Sequence, residues 1–339
     1  MKVIVDVMSG DNAPEEIIKG AFLAHEEFGS ELVLVGNTDD INECASKYGF
    51  DINAKGIEVV HASEVVKMDD EALAVRSKRD SSMAVALRLL KDGKGDALVS
   101  AGNTGALYTG AVLIVSRIPG FRKVGIGAVL PFETPVLLLD SGANTTVTDE
   151  NLEQFALIGS LYMSKVMGIK NPRVGLLNNG TEKTKGTQVL QDAYVRFEEN
   201  KNINFVGNVE CKALPFSACD VIITDGFTGN AVLKLTEGLG AFFMKKLKRV
   251  FKKNAVTKLS AAMVKPGLKQ MKKEFDSSEY GGAPFLGISK PVLKAHGSSD
   301  AKTIKNAIRA VTAYAETNVI NDIITLSESI IKKEDASAK

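Results

Sequence analysis

The sequence predicts an α/β protein with a doubly wound, largely parallel sheet and helices on both of its faces. Two observations lead there. Aliphatic runs of strand length alternate with longer stretches whose apolar residues recur at helical spacing. Five of the runs stop at a cluster of Gly, Asn, Thr, Ser and Asp, and a helix-like stretch follows each cluster. That is the order of a strand, a tight turn and a helix N-terminus.

The elements follow in chain order. Residues 2–7, Lys-Val-Ile-Val-Asp-Val, form a near-continuous β-branched run suited to a strand buried on both faces. A strand this early leaves no room for a secretory leader, so none is expected. Further strands are expected at 31–35, 57–61, 97–100, 136–140, 173–177, 203–206, 221–224 and 291–296. Helical spacing marks residues 81–90, 151–167 and 186–198 among the segments between them. Residues 124–140 break the alternation. Two apolar runs there are separated only by Pro131-Phe132-Glu133-Thr134-Pro135, which predicts an antiparallel hairpin inserted in the sheet. Residues 238–276 interleave apolar residues, among them Phe242, Phe243, Leu259 and Met263, with many cations. This predicts a protruding amphipathic helical hairpin divided at Pro266-Gly267. The polar residues 332–339 are expected to fray, and the whole chain, 1–339, reads as a single domain.

Composition excludes several classes. The longest apolar stretches, such as 128–139, are interrupted by Pro131, Glu133 and Pro135, well short of the roughly 20 residues of a spanning helix. Three cysteines, Cys44, Cys211 and Cys219, show neither metal-site spacing nor a disulfide framework, as suits a reducing cytoplasm. With only three histidines, His25, His61 and His296, neither a His-rich metal site nor a Ser-His-Asp triad is expected. The net charge is +1, but it is unevenly spread. All eleven ionisable residues between Ala241 and Lys273 are Lys or Arg. No stacking platform accompanies them, so nucleic acid is not an expected partner.

The turn clusters carry the chemistry. They are residues 8–12, 100–106, 140–144, 178–182 and 224–230. Gly lets the backbone approach an anion, and the amides of the following helix N-terminus supply donors. Five such loops at one sheet edge would line a single crevice. No Walker A motif and no Gly-x-Gly-x-x-Gly follows a strand, so a smaller anion than a nucleotide is expected. Lys183 and Lys185 are the only cations that the sequence places close to a loop. Asp6, Asp140 and Asp225 are read as loop-capping carboxylates, with a divalent metal as the alternative.

Taken together, six ordered motifs resemble the PlsX family of acyl-acyl-carrier-protein:phosphate acyltransferases. They are residues 6–14, 100–106, 137–144, Asn178-x-Gly180-Thr181-Glu182-x-x-Lys185-Gly186, 224–230 and Lys294-Ala295-His296-Gly297-Ser298-Ser299. The resemblance implies a fold related to phosphate acetyltransferases and to isocitrate and isopropylmalate dehydrogenases. It implies attack of inorganic phosphate on the thioester of long-chain acyl carrier protein, with no cofactor and no metal. Phosphate is anionic at neutral pH, so no protein nucleophile has to be activated. Lys185 is the first candidate for phosphate binding and charge stabilisation, and Asn230 for the oxyanion. Gly10, Asp11, Gly102, Asn103, Thr104, Gly105, Asn144, Gly180, Thr181, Glu182, Asp225, Gly226, Thr228, Gly229 and His296 are the expected substrate- and phosphate-binding set. His296 reads either as a proton donor or as a structural histidine. Also implied are a homodimer, a cytoplasmic location against the inner face of the cell membrane, and passage of product to a membrane glycerol-3-phosphate acyltransferase. The basic hairpin would meet an anionic membrane surface, the acyl carrier protein or a second copy of the chain, and sequence leaves these open. Rival readings are a metal-dependent decarboxylating dehydrogenase of the related fold and a non-catalytic scaffold.

Overall fold

Alternating side chains of the aliphatic strands feed separate cores on opposite sheet faces, as the period of two demands. Along the first strand Val3, Val5 and Val7 join one core while Ile4 joins another. The computed structural model describes residues 1–274 and 277–337. Its strands are β1 (Lys2–Asp6), β2 (Glu31–Gly36), β3 (Ile57–His61), β4 (Ala97–Ser100), β5 (Gly125–Ile126), β6 (Ala128–Pro131), β7 (Pro135–Leu139), β8 (Arg173–Leu177), β9 (Asn204–Val209), β10 (Val221–Ile223), β11 (Ala283–Leu286) and β12 (Val292–Lys294). The helices are α1 (Glu15–Phe28), α2 (Thr38–Tyr48), α3 (Ala74–Ser77), α4 (Ser82–Lys91), α5 (Thr104–Gly110), α6 (Asp149–Lys165), α7 (Gln188–Glu199), α8 (Gly226–Phe251), α9 (Ala255–Glu274), α10 (Ala301–Glu316) and α11 (Val319–Ser337).

The strands form two sheets rather than the one expected. The first has the order β3-β2-β1-β4-β12-β11-β5 and the second β6-β7-β10-β8-β9. Parallel pairing dominates both, and the antiparallel pairs are β12 with β11, β11 with β5, and β6 with β7. The expected hairpin is β6–β7, paired from Ala128↔Leu138 to Pro131↔Pro135, and it sits at the edge of the second sheet. Helices cover both faces: α1 and α10 on one side of the first sheet and α4 and α5 on the other. The second sheet packs α6, α7 and α11 on one face, while Val232 and Leu233 of α8 close the other. Caps fix where helices begin. Ser81 Oγ accepts from Ala84 N at 3.3 Å, Thr148 and Asn151 form a capping box, and Asp300 Oδ1 accepts from Thr303 N at 2.9 Å.

Three further expectations change. β11 escaped sequence reading because Ala-Pro-Phe-Leu between Gly281-Gly282 and Gly287 looks like a loop, yet its Pro284 is tolerated in a short antiparallel strand. The basic hairpin turns at residues 252–254, and Pro266 lies inside α9. Asn254 and Thr257 cap each other reciprocally there, with Thr257 N to Asn254 Oδ1 at 2.9 Å and Asn254 N to Thr257 Oγ1 at 3.0 Å. Residues 275 and 276 of the expected hairpin lie outside the described residues. The tail expected to fray is helical through Ser337. Among the described residues, no helix is long and apolar enough to cross a membrane.

Candidate active site

The loops after β1, β4 and β12 are stitched together at one end of the first sheet. Gly10, at φ 118°, is pressed against its neighbours: a Cβ there would lie 3.0 Å from Ala101 Cβ and 3.2 Å from Gly297 O, a fit open only to glycine. Beside it Asp11 N donates to Gly297 O at 2.8 Å, and Asn12 Nδ2 donates to Ser298 O and Ser299 O. Asn103 caps α5, its Oδ1 accepting from Ala106 N at 3.0 Å, while its Nδ2 ties down the segment above through Met68 O and Asp70 O. Gly102 and Gly105 pack against Ser9 and Ala72 beside it.

A second group of loops belongs to β7 and β10. Asp140 accepts from the amides of Ile126, Gly142, Ala143 and Asn144 and from Asn144 Nδ2. Asp225 caps α8 through Thr228 N at 2.9 Å and Thr228 Oγ1 at 2.7 Å, and Gly226 N donates to Asn144 O at 2.7 Å. At Gly229 a Cβ would fall 1.9 Å from Asp140 O, so only glycine lets α8 start this close to the β7 loop. The carboxylates therefore act as loop caps at Asp140 and Asp225, and Asp6 accepts from Ser100 Oγ at 2.7 Å. Among the described residues no group of three or more His, Cys, Asp or Glu gathers as metal ligands would. Many of the amides expected to cradle an anion are thus already taken by the loops' own carboxylates, and side chains remain as donors.

Those side chains surround a cavity of about 520 Å³ between the two groups of loops. Thr104, Lys294, His296, Ser298 and Ser299 come from the first sheet's end, and Ser141, Gly142, Asn230, Lys234 and Glu237 from the second's. Ile126, Val129 and Leu233 supply an apolar wall. The His296 Nδ1 accepts from Ser298 N at 3.2 Å and lies 2.8 Å from Ser298 Oγ, which assigns the ring proton to Nε2. Burial pulls the Lys294 ammonium down to about 8, against the attraction of Asp11 and Asp6, and Lys234 pushes it the same way as burial. Burial also raises the Asp6 carboxyl, opposed by hydrogen bonds from neighbouring serines.

The chain is similar to known proteins over nearly its full length. A family model described as a fatty acid synthesis protein matches residues 1–322. A phosphate acyltransferase of Acetivibrio thermocellus is 44% identical over 326 residues, 95% of this chain and 95% of that protein. The chain belongs to the PlsX family of phosphate acyltransferases. Its fold is that of acyl-transferring neighbours: a phosphotransacetylase from Streptococcus pyogenes aligns with a TM-score of 0.67 at 18% identity, covering 94% of each chain. A branched-chain phosphotransacylase from Enterococcus faecalis aligns with a TM-score of 0.56 at 14% identity, covering 93% of this chain and 99% of its own.

Not every residue expected of a PlsX-family site lines the cavity. Thr104, Asn230 and His296 do; Gly10, Asp11, Gly102, Asn103, Gly105, Asn144, Asp225, Gly226, Thr228 and Gly229 build the loops behind them. The fourth loop, with Gly180, Thr181, Glu182 and Lys185, is not part of the cavity wall. It follows β8, which lies beyond β10 from β7, so the expected crevice of five loops is built without it. That loop closes on itself: Asn178 Nδ2 donates to Lys185 O at 3.1 Å, Lys185 N to Glu182 O at 3.1 Å, and Asn208 Nδ2 to Glu182 O at 2.8 Å. Lys183 pairs with Glu198, whereas the exposed Lys185 side chain makes no hydrogen bond or ion pair among the described residues. Sequence reading also missed the cavity's two cations. Lys294 ends an otherwise apolar strand, and Lys234 follows Asn230 by one helical turn; those positions were the available signal.

Proposed function

We propose that this acyltransferase moves a long-chain acyl group from the thioester of acyl carrier protein to inorganic phosphate, as a step of phospholipid synthesis. The observation that carries the reading is the cavity itself. Its lining combines amide, hydroxyl, imidazole and ammonium groups with the apolar Ile126, Val129 and Leu233, and no cysteine lines it. Cys44 and Cys219 are buried and Cys211 is exposed, with burial raising all three thiols above their ordinary value, which makes each a poor nucleophile.

Phosphate serves as nucleophile directly. One of its oxygens forms the new C–O bond at the thioester carbon, and the carbonyl oxygen takes up negative charge in the tetrahedral intermediate. Collapse breaks the C–S bond, and the electron pair leaves on sulfur, which then takes a proton. Asn230, in the first turns of α8, donates from its side-chain amide to the oxyanion. The proton that hydrogen phosphate gives up as its oxygen bonds to carbon goes to the departing sulfur, and His296 on the cavity wall relays it. Lys185 contributes its unpaired charge from the neighbouring loop. Acyl carrier protein is the acyl donor, a membrane glycerol-3-phosphate acyltransferase the recipient of the product, and the working form a homodimer held peripherally on the inner face of the membrane.

Mass spectrometry of the protein with acyl carrier thioester and phosphate tests this, with acyl phosphate and free thiol as expected products. Asn230→Ala is expected to lose on the order of 10²–10³ in turnover, and Lys185→Ala, acting from outside the cavity wall, to lose less, both at unchanged melting temperature. Full rates in either variant remove that residue from the mechanism, and an acyl group trapped on a cysteine overturns direct attack by phosphate.

A further inference from the structure

We propose that Lys294, joined by Lys234 and Ser299, forms the seat of a tetrahedral oxyanion, inorganic phosphate, inside the cavity. The proposal deepens the acyl-transfer reading and rests on it for the identity of the anion. Lys294 is only 8% exposed, yet no carboxylate lies within ion-pair distance of it among the described residues. Its Nζ donates to two backbone carbonyls, Ala101 O at 3.3 Å and Ala295 O. A buried ammonium hydrogen-bonded only to carbonyls has no paired counter-ion, a costly state unless a ligand brings one.

Three further observations place that ligand in the cavity. Lys234 reaches the same space from α8, paired at 2.8 Å with Glu237, which lines the cavity too. Its repulsion adds to the burial that lowers the Lys294 pKa, so the two cations, one from β12 and one from α8, face one open cavity. Ser299, 3% exposed, lines the cavity with a hydroxyl that has no hydrogen-bond partner. The neutral donors Thr104 and Asn230 complete the wall. The Lys294 ammonium without an ion-pair partner, a second ammonium that can turn from Glu237 to a ligand, a free hydroxyl and neutral donors suit a tetrahedral anion.

Isothermal titration of inorganic phosphate and of sulfate into the full chain tests the seat. Lys294→Met is expected to weaken both anions by about a hundredfold and Ser299→Ala by about tenfold, each protein retaining its melting transition. Sulfate does not titrate near neutrality, so its affinity reports the protein: in the wild type it falls as pH rises through about 8, and in Lys294→Met this step is absent. The groups facing Lys294, namely Asp6, Asp11, Lys234 and His296, stay in both proteins. Wild-type anion affinity in Lys294→Met overturns the proposal. So does competition at this site by phosphopantetheine without competition by inorganic phosphate, which would make the seat a carrier-arm site. Failure of the acyl-transfer reading looks different: phosphate binds and Lys294→Met loses it, but no acyl phosphate forms from carrier thioester.

Discussion

Lys294 illustrates how a site residue is set against the stability of the fold. Its folded-state pKa of about 8 lies below the ordinary 10.5, so between those values the unfolded chain holds more protons and stability rises with pH. Below pH 8 both states are charged and the penalty of burying the ammonium is fully present. A tenfold difference in proton affinity between the folded and unfolded chains corresponds to about 1.4 kcal/mol. Lys294→Met, similar in volume and uncharged, is therefore expected to be more stable than wild type by a few kcal/mol at pH 7 without phosphate, and the difference should shrink as pH rises from 8 to 10.5. Urea melts of both proteins at about pH 7 and about pH 10 check this; equal stability at the lower pH would mean that the amine is solvated. Nothing in Pro-Val-Leu-Lys-Ala discloses that its lysine is buried, because burial depends on how β12 lies against β4 and across the cavity from α8. Asn230 was legible because its setting is local. An Asp-Gly turn and a helix start fix it near the N-terminus of α8.

At the scale of one element, α8 carries most of the functional geometry. Its 26 residues span about 39 Å, with Asn230 and Lys234 at the cavity and the exposed Phe242 and Phe243 farther along. The start of the helix is set by Asp225 and by the contact of Gly229 with Asp140 O. Gly229→Ala must push the helix off the β7 loop. It is expected to cost about 1–3 kcal/mol and to lower turnover by moving Asn230. Gly238→Ala lies in the same helix, where an added methyl would meet nothing within 4 Å. It is expected to gain up to about 1 kcal/mol, the helix-propensity difference. Paired melts and rate measurements separate the two, and equal effects would refute the contact argument. The end of α8 is hard to read from sequence because proline is the stronger signal there. The reciprocal cap of Asn254 and Thr257 stops one helix and starts the next, whereas Pro266 removes only one hydrogen bond from an exposed one.

For the whole molecule, the alternation of strand and helix was legible, but the division into two sheets was not. That division occurs where β5 and β6 are separated by the single residue Gly127, whose amide donates to Pro284 O, and one residue carries no sheet assignment in its spacing. The cavity lies between the two sheets' loop ends, so its composition also depended on this partition. The same arrangement links chemistry to surface: α8 leads from the cavity to the α8–α9 hairpin, where Phe243 is 65% exposed, Leu259 68% and Met263 79%. The acyl phosphate of the proposed reaction has a long apolar tail, and we propose that the apolar stripe flanked by cations at the end of α8 meets an anionic bilayer. Each Lys or Arg near such a leaflet contributes about 1 kcal/mol, so a few engaged cations give reversible attachment without a lipid anchor. Charge attraction is screened by salt and apolar insertion is not. The protein is therefore expected to sediment with anionic but not zwitterionic vesicles, less so as salt rises. Replacing Leu259 and Met263 by Glu should abolish sedimentation while turnover in solution persists. If those two substitutions instead dissociate a dimer and leave vesicle binding intact, the stripe is a subunit interface and the membrane reading of it fails.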